Sequence, residues 1–156
     1  MAMAMTMREY LKNQDVDFDE IRHPKEVTAS RVAQQAHVSG EKMAKAVLIK
    51  GDSGYRVLVI PSTCKVDLNS LSRQLHERLG LATADDIQQL FGDCDLGALP
   101  ALAQAYGVRV CYDDALTSQP DIYMEAGDHE TLVHMGNVEF RRLMSRAEHG
   151  RFSRHM

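Results

Sequence analysis

The chain has 156 residues, 44% of them hydrophobic and 26% charged, with a formal net charge of −4. That size is one domain able to bury roughly 70% of its unfolded surface without staples. The acidic balance argues against a nonspecific nucleic-acid coat, which is normally basic, and no apolar run approaches the ~20 residues of a membrane span. The start, MAMAMTMREY, lacks the positive end and apolar core of a secretion signal. Cys64, Cys94 and Cys111 are odd in number and form no Cys-x-x-Cys pair. They fit buried thiols in a reducing compartment, so the expected location is cytoplasmic.

In chain order, Thr6 and Glu9 have capping-box spacing, which predicts a helix from Met7 to about Gln14. Val16 to Ile21 reads as a short strand ended by His23-Pro24. Thr28 can cap a second helix with Val32, Ala33 and Ala36 inward. The strongest local pattern is KAVLIKGDSGYRVLVIP, two β-rich runs joined by a four-residue loop, Gly51 to Gly54. Val47, Leu48 and Ile49 are consecutive apolar residues, the pattern of a strand buried on both faces. Lys45 stands at its head, and Pro61 stops the second strand.

Leu68, Leu71, Leu75 and Leu79 then form one helical stripe, capped by Asp67 or Asn69 and ended by Gly80. Thr83 and Asp86 repeat the capping-box spacing before a short helix through Phe91. A loop through Gly97 leads into a helix terminated by Gly107. Val108, Val110 and Tyr112 alternate as a strand, and Ile122 to Glu125 form another. A further strand follows His129, and Asn137 can cap a last helix with Phe140, Leu143 and Met144 inward. The irregular order of helices, strands and hairpins predicts an α+β fold with a mixed sheet, in a single domain spanning residues 1–156. Residues 1–6 and 147–156 are expected to be flexible ends.

The stretch GDHETLVHM resembles a zinc-protease His-Glu-x-x-His, but its second histidine arrives one residue late. Positions i and i+5 lie about 140° apart on a helix and on opposite faces of a strand. His129 and His134 therefore cannot share a metal in the manner of that motif, and no metal is called for. His129 falls where a turn becomes a strand.

Several pieces taken together resemble the YbaK/prolyl-tRNA-synthetase-associated editing domain family. They are MAKAVLIK (43–50) with its lysine, the hairpin ending in VIP (59–61), VDLNSL (66–71), GALPAL (97–102), PDIYMEAGDHETLVHM (120–135) and FRRLM (140–144). Each is weak alone, but their order and spacing run from about Met7 to Met144. The resemblance implies a mixed sheet flanked by helices. It also implies a cofactor-free, metal-free hydrolase that removes a wrong amino acid from tRNA, with the acceptor end of aminoacyl-tRNA as substrate and prolyl-tRNA synthetase as a candidate partner.

Ester hydrolysis needs a placed water, a stabilised oxyanion and a grip on the substrate. Lys45 matches the family's pocket lysine and can hold a carbonyl oxygen or the terminal phosphate. Gly97 opens the loop that matches the family's Gly-x-x-x-Pro motif and offers an unobstructed amide. Here the proline, Pro100, falls one place early, and Ala101 stands at the usual proline position. His129 matches a position near the pocket and can position the substrate, or act as a general base. These three are the catalytic candidates. Thr28, Ser30, Ala98, Pro100 and Asp128 are the substrate-binding candidates, Asp128 by orienting His129 or by building its turn. Arg141, Arg142 and Arg146, in a tail that also holds Arg151 and Arg154 against Glu148, are candidates for acceptor-stem phosphates. The same residues suit a second reading, a non-catalytic module that binds tRNA ends, a synthetase or an amino-acid-like ligand.

Overall fold

Two β-rich runs build the centre of the sheet, β2 (Met43–Gly51) and β3 (Gly54–Pro61), paired antiparallel from Ala44↔Pro61 to Gly51↔Gly54. The loop is thus tighter than expected, with only Asp52 and Ser53 between paired glycines. Gly54 has φ +109°, a backbone state that favours glycine. The computed structural model describes residues 3–26, 28–95 and 98–156.

Around the hairpin the chain lays down β1 (Asp19–Arg22), β5 (Leu79–Leu81), β6 (Arg109–Asp113), β7 (Asp121–Glu125), β8 (Thr131–Gly136) and β9 (Glu148–Gly150). The eight-stranded sheet has the order β1-β8-β7-β2-β3-β6-β9, with β5 also pairing β2. Its β2–β7, β3–β6 and β6–β9 pairs are parallel and the others antiparallel, so the sheet is mixed, as expected. A separate ribbon joins β4 (Cys64–Val66) to β10 (Ser153–His155).

The helices are α1 (Met5–Asn13), α2 (Ala29–Gln35), α3 (Leu68–Leu75), α4 (Ala84–Leu90) and α5 (Asn137–Leu143). Thr28 caps α2 through Arg31 N–H, and Thr83 and Asp86 form a complete capping box on α4. Other starts differ from the sequence pattern. The α1 helix begins at Met5 with no side-chain cap, because Thr6 N–H donates instead to Asp93 Oδ2 at 2.8 Å. The Asn137 amide donates to the carbonyls of Thr117 and Gln119, fastening α5 to a 3₁₀ turn at Asp114–Ser118 rather than capping it. Gly107, with φ +75°, ends only a 3₁₀ turn, Ala103–Tyr106. The leucine stripe breaks early: His76 takes the left-handed conformation, and Leu79 leaves the helix for β5 on the edge of β2.

The main core lies on one face of the sheet, where Met7, Leu11, Val57, Val59, Phe91, Leu102, Ile122, Met124 and Phe140 are fully buried or nearly so. Phe91 meets Tyr106 edge-on at 5.0 Å, an arrangement worth about 0.5–1.5 kcal/mol beyond area burial. Two smaller clusters form around Ile49, Leu58 and Phe152, and around Val32, Met43 and Leu132. Among the described residues, the segments expected to be flexible ends make packed contacts. Met3 and Ala4 are buried, with Ala4 N–H bonded to Ala126 O, and residues 148–155 form β9 and β10 around buried Phe152. Asp113 anchors that tail, its Oδ2 accepting from Phe152 N, Ser153 N and Ser153 Oγ.

One ionic network ties the hairpin turn to the sheet. Arg56, only 4% exposed, reaches Glu77 Oε2 at 2.9 Å and Glu148 Oε1 at 2.7 Å, while Glu77 Oε1 accepts from Ser53 N and Oγ. Hydrogen bonds from the Ser53 hydroxyl and amide, then from Arg56, hold the Glu77 carboxyl down to about 2. A depressed carboxyl stabilises the fold above its unfolded pKa and ceases to do so as protons bind. Thermal melts should therefore show Tm falling as pH drops from about 4.5 to about 2, and Glu77→Gln should flatten that slope. An unchanged slope in the variant would assign the acid sensitivity to other groups.

Candidate functional site

The site follows from an interruption in the sheet. One edge of β2 pairs with β7 at Met43 and Ala44, and again with β5 from Ile49 to Gly51. Between those contacts, Lys45 to Val47 have no strand partner on that edge among the described residues. Lys42 O accepts from Tyr123 N and Leu48 O from Ala82 N, whereas Met43 O accepts from Ser62 N on the opposite side. By this alternation Ala46 directs its backbone N–H and C=O into the gap. Unpaired strand-edge groups of this kind are ready hydrogen-bonding sites for another chain or a ligand.

A cavity of about 160 Å³ sits at the gap. Its walls are mostly small: Ala29 and Val32 of α2, Met43, Ala44 and Ala46 of β2, and Ala98, Leu99 and Ala101 from the loop after α4. Among the described residues, its ionisable lining groups are Lys45, Glu125 and His129. Drug-sized ligands occupy roughly 300–1,000 Å³, so this space suits a much smaller group.

Lys45 lies on the face of β2 shared with Met43. Its ammonium donates to Ser62 O at 3.4 Å, and the Ser30 hydroxyl donates to the same carbonyl at 3.3 Å. Burial pulls the Lys45 ammonium below the ordinary lysine value, opposed in part by Cys64. The cost of taking a cation out of water is thus only partly offset, which leaves it poised for an additional acceptor.

Glu125 enters from β7. The parallel register sets Met43 beside Tyr123 and Ala44 beside Met124, so Lys45 and Glu125 are the next residues along on their strands. The Glu125 Oε1 accepts the backbone N–H groups of Gly127, Asp128 and His129 at 3.1, 3.2 and 2.9 Å. Burial nevertheless pushes its carboxyl up from the usual range, with the neighbouring Asp128 carboxylate adding to the rise and His129, through its amide and its ring, and the Gly127 amide only partly compensating.

The turn wrapped around that oxygen delivers His129. Its backbone is left-handed, φ +59°, and its side chain is buried at 4% exposure. The turn needs Gly127: at φ +100°, a Cβ there would stand 2.8 Å from Ala4 Cβ and 3.1 Å from Cys94 Sγ. Asp128 closes the turn. Its Oδ1 accepts from Glu130 N and Thr131 N, and its Oδ2 from the Thr131 hydroxyl.

The structure thus brings Lys45, Ala98 and His129 together at one cavity. Gly97 lies outside the described residues. Ser30 does not line the cavity, but it shares the Ser62 carbonyl with Lys45. Thr28 serves as a helix cap, Pro100 is buried and does not line the cavity, and Asp128 is spent on its turn. His134 faces elsewhere, between Asp19 and Asp121 and stacked on Tyr123. Arg141 donates to Thr117 O and Arg142 to Gln14 O and Asp15 O, while exposed Arg146 borders a different hollow beside Leu143 and Glu148. None of the three arginines lines the cavity. Sequence reasoning missed Glu125 and the Ala46 edge. Glu125 had a signal: it shares strand parity with Tyr123, opposite the core residues Ile122 and Met124.

Residues 23–143 match the model of the aminoacyl-tRNA editing domain. The chain belongs to that family. Among curated proteins, none matches the sequence. Among solved structures, a hypothetical protein superposes with a TM-score of 0.84 at 20% identity, covering 96% of this chain and 99% of that one. A proposed trans-editing enzyme for prolyl-tRNA synthetase gives 0.82 at 18% identity, covering 98% and 99%. A proposed signal transduction protein from Marinobacter aquaeolei VT8 gives 0.79 at 17% identity, where the fold spans 97% of this chain but 31% of the other. At these identities the likeness establishes the editing-domain fold, including its mixed sheet.

Proposed function

We propose that this editing domain is a trans-acting deacylase. It hydrolyses the ester between a small, wrongly attached amino acid and the 3′ end of tRNA, with alanine on tRNA(Pro) as the first candidate. The observation that carries the reading is the 160 Å³ alanine-walled cavity holding Lys45, Glu125 and His129 in a chain of the aminoacyl-tRNA editing family. A small chamber favours a short side chain, and the likeness to a proposed trans-editing enzyme for prolyl-tRNA synthetase supports the choice of tRNA.

The chemistry is addition of water to the ester carbonyl, then departure of the ribose oxygen, which takes up a proton. The products are the free amino acid and uncharged tRNA. Lys45 holds the carbonyl oxygen or the terminal phosphate, and the Ala46 N–H at the open edge can donate to the developing oxyanion. His129 positions the substrate, and the neighbouring ribose hydroxyl assists the water. The chain's own residues supply these roles without a cofactor. Prolyl-tRNA synthetase is a candidate partner as the source of mischarged tRNA, and the exposed arginine tail, Arg146 foremost, is a candidate contact for acceptor-stem phosphates.

The test is a panel of Ala-tRNA(Pro), Ser-tRNA and Thr-tRNA incubated with the purified protein. Hydrolysis of Ala-tRNA(Pro) well above its spontaneous rate is the expected result. Hydrolysis of none of them defeats the deacylase reading. Saturable tRNA binding without turnover would establish the non-catalytic module instead.

A further inference from the structure

We propose that Glu125 recognises the substrate's α-ammonium group, so that the enzyme acts on free aminoacyl esters and rejects N-blocked or α-hydroxy esters. This rests on the deacylase reading. An aminoacyl ester is a cation whose charge sits one carbon from the carbonyl under attack. A small cavity that desolvates that ammonium must supply an anionic acceptor, and Glu125 is the carboxylate among the described lining residues.

Its geometry is suited to the task. Three backbone amides converge on Oε1 and lock the carboxylate in place, while Oε2 accepts no hydrogen bond from the described residues. The locked oxygen sets the direction of the open one. Pre-organisation of this kind lowers the ordering cost of binding. The neighbouring positions on β2 and β7 carry opposite charges, Lys45 and Glu125. An ester entering between them is oriented by both, its ammonium drawn to Glu125 and repelled by Lys45, its carbonyl directed to Lys45. Burial of the Glu125 carboxyl is incompletely compensated in the free protein, and a bound ammonium completes it.

Every correctly formed aminoacyl-tRNA carries this ammonium, so Glu125 selects the class of ester and the alanine walls select the side chain. Peptidyl-tRNA and N-formylated initiator tRNA lack the cation and are spared.

The experiment compares Ala-tRNA(Pro) with its deaminated counterpart, lactyl-tRNA(Pro), for wild type and Glu125→Gln. Glutamine keeps an oxygen for the three amides and removes the charge. A charge-assisted hydrogen bond is worth about 1.5–3 kcal/mol, which is roughly 10- to 150-fold. Wild type should prefer the alanyl ester by that factor. Glu125→Gln should lose it on the alanyl ester alone, leaving the lactyl rate within about threefold, so the preference collapses. Equal losses on both esters, no loss on either, or a wild type without preference would each overturn the proposal. If wild type hydrolyses no ester at all, the deacylase reading fails, and binding decides the Glu125 assignment. Calorimetry with 3′-alanylamido-3′-deoxyadenosine and its lactamido analogue should then show tighter binding of the ammonium compound, lost in Glu125→Gln. Equal binding, or none, overturns it.

Discussion

Lys45→Ala should lower deacylation of the preferred aminoacyl-tRNA by about 10²–10³-fold, the usual effect of deleting one pre-organised oxyanion donor, with Tm unchanged or slightly raised. The two halves follow from the same facts. The ammonium is partly buried and has a single long hydrogen bond, 3.4 Å, to Ser62 O, so the folded state gains little from it. Burial pulls its pKa below the ordinary lysine value, which means the free protein bears part of the desolvation cost, and the substrate's oxygen repays it. Lys45→Met keeps most of the stem and removes the charge, and it should be as slow as alanine. Lys45→Arg keeps the charge on a wider, planar group and should recover only part of the rate in so small a chamber. Because the acting species is the ammonium, the catalysed rate, corrected for spontaneous hydrolysis, should decline as pH rises through the lowered lysine pKa. Single-turnover deacylation with circular dichroism melts measures both halves. An alanine variant as fast as wild type removes Lys45 from the mechanism; one that unfolds makes it a structural residue.

Features carried by local pattern were legible in the sequence. The Thr83–Asp86 capping box forms as its spacing requires, Thr28 caps its helix, and the strands around the hairpin appear where β-branched residues cluster. What could not be read depends on partners distant in the chain. The leucine stripe continues to Leu79 in perfect helical phase, yet the unpaired edge of β2 offers Leu79 to Leu81 a ladder, and His76 turns left-handed to let them reach it. The tail after Ala147 has the composition of a solvated end, but Phe152 has a buried place waiting beside Leu58, and Asp113 supplies three acceptor contacts to hold it. The cavity has the same character. Lys45 and His129 were visible through motif order, whereas the gap they face exists only because β7 and β5 share one edge of β2 and leave three residues of it bare.

Asp128→Ala should destabilise the fold by about 3 kcal/mol and slow the enzyme through His129, although Asp128 does not line the cavity. Its carboxylate is buried, 1% exposed, and accepts three hydrogen bonds at 3.0, 2.7 and 2.8 Å from Glu130 N, Thr131 N and Thr131 Oγ1. Burial works to raise its pKa, but those donors, together with nearby Arg22, outweigh it and hold the carboxyl below the usual range. Removing the acceptor strands the donors in a buried turn, and each buried unsatisfied group costs about 1–3 kcal/mol, relaxation recovering part of the sum. The turn is also what keeps residue 129 left-handed, a conformation costly for any residue but glycine, so losing its support lets the imidazole leave the cavity wall. Asp128→Asn retains one oxygen for the two backbone amides and should lose less than half as much stability, with most of the activity. Urea unfolding alongside single-turnover deacylation separates the roles. Loss of activity in Asp128→Ala with stability preserved would make Asp128 a direct substrate contact, and stability and rate both near wild type would mean that the 126–130 turn holds its shape without it.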